Sequence, residues 1–100
     1  MNSKEHLLAC LAEECAEVQH AVGKALRFGL QDGYVRDGDK IVTTNAEQIM
    51  MEIVDLIAIV DMLTDADILT AIDPTDAIKA KREKVYKWMA HAKTLGTVVD

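Results

Sequence analysis

Hydrophobic positions fall into three helical patterns separated by two breaks. Leu7, Leu11, Val18, Val22 and Leu26 recur at helical spacing along one face, with Cys15 beside them, and predict a helix from about Ser3 to Phe28. Asn2 and Glu5 have capping-box spacing at its start, and Gly29 is placed to stop it. Thr44-Asn45-Ala46-Glu47 repeats that spacing and opens a second helix over residues 44–64, with a bent continuation to Ala71 left open. Asp73-Pro74 opens the third, Asp73 as cap and Pro74 in the first turn. Ile78, Val85, Met89 and Ala92 form its apolar stripe and Gly96 ends it. Residues 29–43 form a loop in which residues 34–42 are expected to make a small hairpin about Asp37-Gly38. So long a connection is often functional. The pattern predicts one all-α domain over residues 1–100, without repeats.

The second helix departs from an ordinary amphipathic pattern. Twelve of the fifteen residues from Ile49 to Leu63 are apolar, and they surround the helix instead of making one stripe. A helix that is apolar all round is buried on most sides. Two further helices from a chain of 100 residues hardly cover it. The expected architecture is therefore four-helix-bundle-like and assembled by homo-oligomerisation, as a homodimer or homotetramer.

Composition narrows the class. An apolar fraction of 50 % with 28 % charged residues excludes a disordered chain. The net charge of −6 counts against nucleic acid as a partner. No apolar run approaches the length of a membrane span, and the first residues lack a secretory signal pattern, so no membrane association is expected. Cys10 and Cys15, five apart on one helix, cannot pair within the chain, and two unpaired thiols suit a reducing cytoplasm. Residues 41–78 hold eight acids and no Lys or Arg, whereas residues 79–93 hold six bases and one acid. That layout suits a site that gathers cations and anions, and equally suits charge balance between neighbouring helices.

The candidate chemistry lies in the acids. Glu52, Asp55 and Asp61 interrupt the apolar run, and a carboxylate removed from water needs a charge partner or a metal. Glu52 and Asp55 are three apart and share one side of the helix; Glu14 and Glu17 repeat that spacing on the first helix, next to Glu13. If the two helices pack side by side, Glu14, Glu17, Glu52 and Asp55 converge. Four carboxylates without a base repel one another, and an oxygen-ligated hard cation, Mg²⁺ or Mn²⁺, removes the conflict. Zinc fits less well because no His or Cys joins at ligand spacing. Glu13, Glu14 and Glu17 alone more often mean a solvated face; for Glu52 and Asp55 that reading is weaker, because their neighbours Met51, Ile53, Val54, Leu56 and Ile57 are apolar. Asp61 reads as a pair-maker across an oligomer contact. No Walker A pattern occurs.

Glu13-Glu14-Cys15-Ala16-Glu17 fits EExxE, and Glu52-Ile53-Val54-Asp55 fits the later ExxD. In this order, with ExxD inside an apolar helix, the chain resembles the all-α nucleoside triphosphate pyrophosphohydrolases of the MazG-like group. Residues 24–30 and the Lys84-Val85-Tyr86-Lys87-Trp88 segment look like small phage or bacterial members, so the resemblance covers most of the chain. Thirty-four residues separate Glu17 from Glu52, more than in many members. The resemblance implies Mg²⁺-dependent hydrolysis of a nucleoside triphosphate to a monophosphate and pyrophosphate, in nucleotide house-cleaning. It also implies that Glu14, Glu17, Glu52 and Asp55 hold the metal. Glu13 is a candidate for supporting a ligand or orienting the attacking water, and Lys24, Arg27, Lys81 and Lys84 are candidates for phosphate contacts. The alternative from another class is a non-catalytic helical oligomerisation module whose acids pair with a neighbour's basic third helix.

Overall fold

A computed structural model describes residues 1–35 and 42–100. Its order is α1 (Ser3–Phe28), β1 (Gly33–Val35), β2 (Val42–Thr44), α2 (Asn45–Asp65) and α3 (Thr75–Leu95). Residues Met1–Thr70 form one compact unit and Ala71–Asp100 a second.

The helix starts follow their capping residues. Asn2 accepts from the Glu5 backbone N–H at 2.8 Å while Glu5 accepts from the Asn2 N–H at 3.1 Å, a complete capping box. At α2 the Thr44 hydroxyl accepts from the Glu47 N–H at 3.1 Å, but the Glu47 carboxylate returns to the Thr44 hydroxyl and not to its backbone.

Within the first unit α1 packs against α2. The half-buried and buried positions of α1 are led by Leu7, Leu11, Glu14, Val18, Ala21 and Ala25; on α2 they include Asn45, Ile49, Glu52, Leu56, Ile59 and Leu63. Both series alternate steps of four and three residues, the spacing that keeps a contact seam in register along a helix. The expected α1 stripe therefore needs correction at its C-terminal end. Val22 is exposed and Leu26 is 83 % exposed, while Ala21 and Ala25 are buried. Each step of four overshoots a full turn by about 40°, so a run of such steps from Val18 rotates off the seam. Cys15 is exposed as well, and both cysteines are free thiols. Leu63, with no exposed surface, is the most deeply buried large side chain.

The junction between α1 and α2 is built from backbone hydrogen bonds and one buried amide. Gly29, at φ +97°, turns the chain out of α1, a conformation favourable for glycine. The Asn45 side chain, buried at the first turn of α2, donates from Nδ2 to the Gly29 carbonyl at 2.9 Å. The Asn45 and Ala46 backbone N–H groups donate to Asp32 and Leu30 carbonyls at 2.7 and 3.0 Å. Asn45 thus clips the end of the first helix to the start of the second. Asn45→Ala leaves the Gly29 carbonyl short of a donor and is expected to cost about 1–3 kcal/mol, read as a lower denaturation midpoint. An unchanged midpoint would show that water replaces the amide.

An antiparallel strand pair is present, displaced from the expected register: Gly33 pairs with Thr44, Tyr34 with Thr43 and Val35 with Val42, so the second strand runs on to the cap of α2 instead of ending at Val42. A Cβ on Gly33 would run into the Thr43 carbonyl, which explains the glycine there. The turn assigned to Asp37-Gly38 lies outside the described residues.

The second helix stops at Asp65 and does not continue to Ala71. Asp67 adopts φ +57°, its N–H donates to the Thr64 carbonyl at 3.0 Å, and the Ile68 N–H donates to the Leu63 carbonyl at 2.9 Å. This is a Schellman ending. Its left-handed position is filled by Asp, not by the Gly that normally signals such a stop.

In the second unit, α3 begins at Thr75 with Pro74 at the cap position, one residue later than expected. Asp73 still satisfies the helix start: its Oδ1 accepts from the Thr75 N–H at 3.0 Å and the Thr75 hydroxyl at 2.7 Å. Those two bonds hold the Asp73 pKa below its ordinary value of 3.8. A depressed folded-state pKa means stability that is present above the ordinary value and lost as pH falls through the folded one. Asp73→Asn should abolish that acid-side loss and lower the helix content of α3 at neutral pH, measured by circular dichroism; an identical acid profile would refute it. Gly96, at φ +78°, closes α3 with the Thr97 N–H on the Ala92 carbonyl at 3.1 Å. Ile78, Val85 and Met89 of the expected stripe are exposed within this unit.

Candidate metal centre

Glu14 and Glu52 each occupy a seam position, so packing α1 on α2 brings them face to face. Asp55, one turn beyond Glu52, stands on the exposed flank of the same seam. Carboxylate oxygens of Glu14, Glu52 and Asp55 lie within 4.8 Å of one another.

The electrostatics of this group are one-sided. The Glu14 pKa is raised above its ordinary value of 4.5, first by partial burial and then by the negative charges of Asp55, Glu52, Glu13 and Glu17. Every charge that moves it is negative. Ionised Glu14 is therefore in conflict with its surroundings, and a cation relieves the conflict.

The donor set fits a small hard cation. Three oxygen donors suit Mg²⁺ or Mn²⁺, and bonds of about 2.1 Å place ligand oxygens no more than about 4.2 Å apart. Three protein oxygens would leave about half of an octahedral shell to other ligands.

The other expected site residues are placed as follows. Glu17 is exposed and stays outside the three-carboxylate group, although its charge reaches Glu14. The α1 seam steps from Glu14 to Val18, which leaves Glu17 on the flank. Glu13 is also exposed and acts on Glu14 through charge. Lys24 is half-buried near the C-terminal end of α1, and the Arg27 guanidinium stacks on the Phe28 ring at 4.7 Å from its centroid. Lys81 and Lys84 are exposed on α3, in the second unit.

One residue at this site was not singled out from the sequence. Gln48, one turn before Glu52, donates from Nε2 to Glu52 Oε1 at 2.7 Å, and the pair is partly buried. Gln48, Met50, Met51, Glu52, Val54 and Asp55 line an open depression of about 330 Å³ on α2. The signal available in the sequence was a glutamine four residues before the first acid of ExxD, on the same side of the helix.

Comparison of the chain with protein-family models, with curated proteins and with solved structures gives no match. Among the described residues no helix is long and apolar enough to cross a membrane.

Proposed function

We propose that the protein hydrolyses a nucleoside triphosphate to a nucleoside monophosphate and pyrophosphate in a Mg²⁺-dependent reaction, removing unwanted nucleotides in the cytoplasm. The observation that carries this reading is the meeting of Glu14 with Glu52 and Asp55 across the packed seam of two helices. The resemblance of EExxE and ExxD to the MazG-like pyrophosphohydrolases supports it, because the same acids fall at the motif positions.

In this reading Glu14, Glu52 and Asp55 hold the cation, with Glu17 at the edge of the group. A cation held there would supply charge neutralisation for phosphate oxygens and a lowered pKa for an attacking water. Glu13, on the solvent side of Glu14, orients that water. Lys24 and Arg27 meet the phosphates along α1. A second copy of the chain, or three more, covers the exposed side of α2.

The test is pyrophosphate release from a panel of ribo- and deoxyribonucleoside triphosphates with Mg²⁺. Release by the wild-type protein that is lost in Glu52→Gln, with helix content retained, supports the reading. Inorganic phosphate in place of pyrophosphate would make the same site a phosphatase. A second reading, a non-catalytic helical interaction module, draws on the exposure of Met50, Val54 and Ile57 in the single chain. Absence of any product across the panel, together with no cation-induced rise in melting temperature, would favour it.

A further inference from the structure

Of the side-chain hydrogen bonds among the described residues, one reaches the three-carboxylate group, that from Gln48 to Glu52. A carboxylate only accepts, so the amide must present its NH₂ side, and the 2.7 Å separation is that of a short charge-assisted bond. Glu52 is a long side chain with three rotatable bonds. Held at Oε1, it keeps Oε2 available and loses the freedom to swing away from Glu14 and Asp55.

The chemical type of the donor matters as much as its position. A Lys or Arg at residue 48 would also reach Glu52 at this spacing, but as an ion pair. Its charge would offset the negative field that attracts a cation. A neutral amide orients the carboxylate and leaves its full charge in place.

We infer that Gln48 is a positioning residue of the centre: its neutral amide fixes the Glu52 carboxylate toward Glu14 and Asp55 without competing with a divalent cation for its charge. The inference rests on the reading of these acids as a Mg²⁺ site. It assigns to a residue outside both acidic motifs the task of setting how tightly that site binds. Partners that orient metal ligands typically change metal affinity by about 10–100-fold when removed.

The experiment compares wild-type protein, Gln48→Met and Gln48→Lys by Mn²⁺ titration, with free Mn²⁺ followed by electron paramagnetic resonance. Met keeps length and helix propensity and removes the donor. Lys keeps a donor and adds a charge. Gln48→Met is expected to weaken Mn²⁺ binding by about tenfold or more, and Gln48→Lys to weaken it further. In pyrophosphate assays the Gln48→Met defect should shrink as Mg²⁺ is raised, since Glu52 is misplaced and not lost. Circular dichroism separates this from unfolding. Equal Mn²⁺ affinity in the wild type and both folded variants would overturn the role of Gln48 while leaving the metal centre intact. Gln48→Lys binding as tightly as wild type, with Gln48→Met weakened, would overturn the need for neutrality. Failure of the wild-type protein itself to bind Mn²⁺ would overturn the Mg²⁺ site and the inference together.

Discussion

Glu14→Gln is expected to abolish pyrophosphate release, by more than about 100-fold, and at the same time to make the metal-free protein more heat-stable. The two effects have one cause. Glu14 sits on the seam, partly removed from water, and the charges acting on it are all negative. Its folded-state pKa is therefore raised above 4.5. For an acid shifted in that direction, ionisation opposes folding. The penalty is absent while the group is protonated in both states, and it appears as pH rises through the ordinary value toward the folded one. Metal-free wild-type protein should lose stability over that rise, and Glu14→Gln should lose less of it. With Mg²⁺ the order reverses, because the cation stabilises the wild type by mass action and has lost a ligand in the variant. Thermal melts of both proteins with Mg²⁺ and with chelator test this directly. A Glu14→Gln protein that melts below wild type in chelator would mean that the carboxylate is held by a positive partner, and the metal reading would fail.

Val54→Glu is expected to break the assembly. Met50, Val54, Ile57 and Asp61 follow one another at steps of four and three residues on the side of α2 opposite the seam with α1. The three apolar members are each more than half exposed in the single chain, at 59 %, 57 % and 53 %. A row of this kind is an interaction surface when it is contiguous. If a second copy covers it, an unpaired glutamate at its centre costs about 3 kcal/mol or more, about 100-fold in dissociation constant. The chain itself should tolerate the change, since residue 54 is exposed there and Glu has higher helix propensity than Val. Sedimentation equilibrium of both proteins gives the answer. The expected result is a wild-type dimer or tetramer and a folded Val54→Glu monomer. A wild-type protein already monomeric at working concentration would refute the assembly and leave the apolar side of α2 unexplained.

Most helix limits follow from local rules. Asn2 and Glu5, Thr44 and Gly96 mark their boundaries because capping acts over three or four residues. Two boundaries escape such rules. The end of α2 turns on Asp67 taking a left-handed conformation, which no glycine announces. The α3 start shifts past Pro74 while Asp73 keeps its hydrogen bonds.

The pairing of acids at three-residue spacing is likewise visible in the chain: side-chain direction on a helix is set by residue number alone. Which acids meet is not. The face set by Leu7, Leu11 and Val18 already puts Glu14 at its edge and Glu17 on its flank, but only the packing of the two helices decides that Glu14 joins Glu52 and Asp55 while Glu17 does not. The same packing buries Ala21 and Ala25 in place of Val22 and Leu26, because close approach of two helices selects position before hydrophobicity. Gln48 acquires its place only when Glu52 is pinned against the first helix. The residue types and their spacing were written in one dimension; their convergence depends on the angle and register at which two helices pack, and that is decided by contacts between residues far apart in the chain.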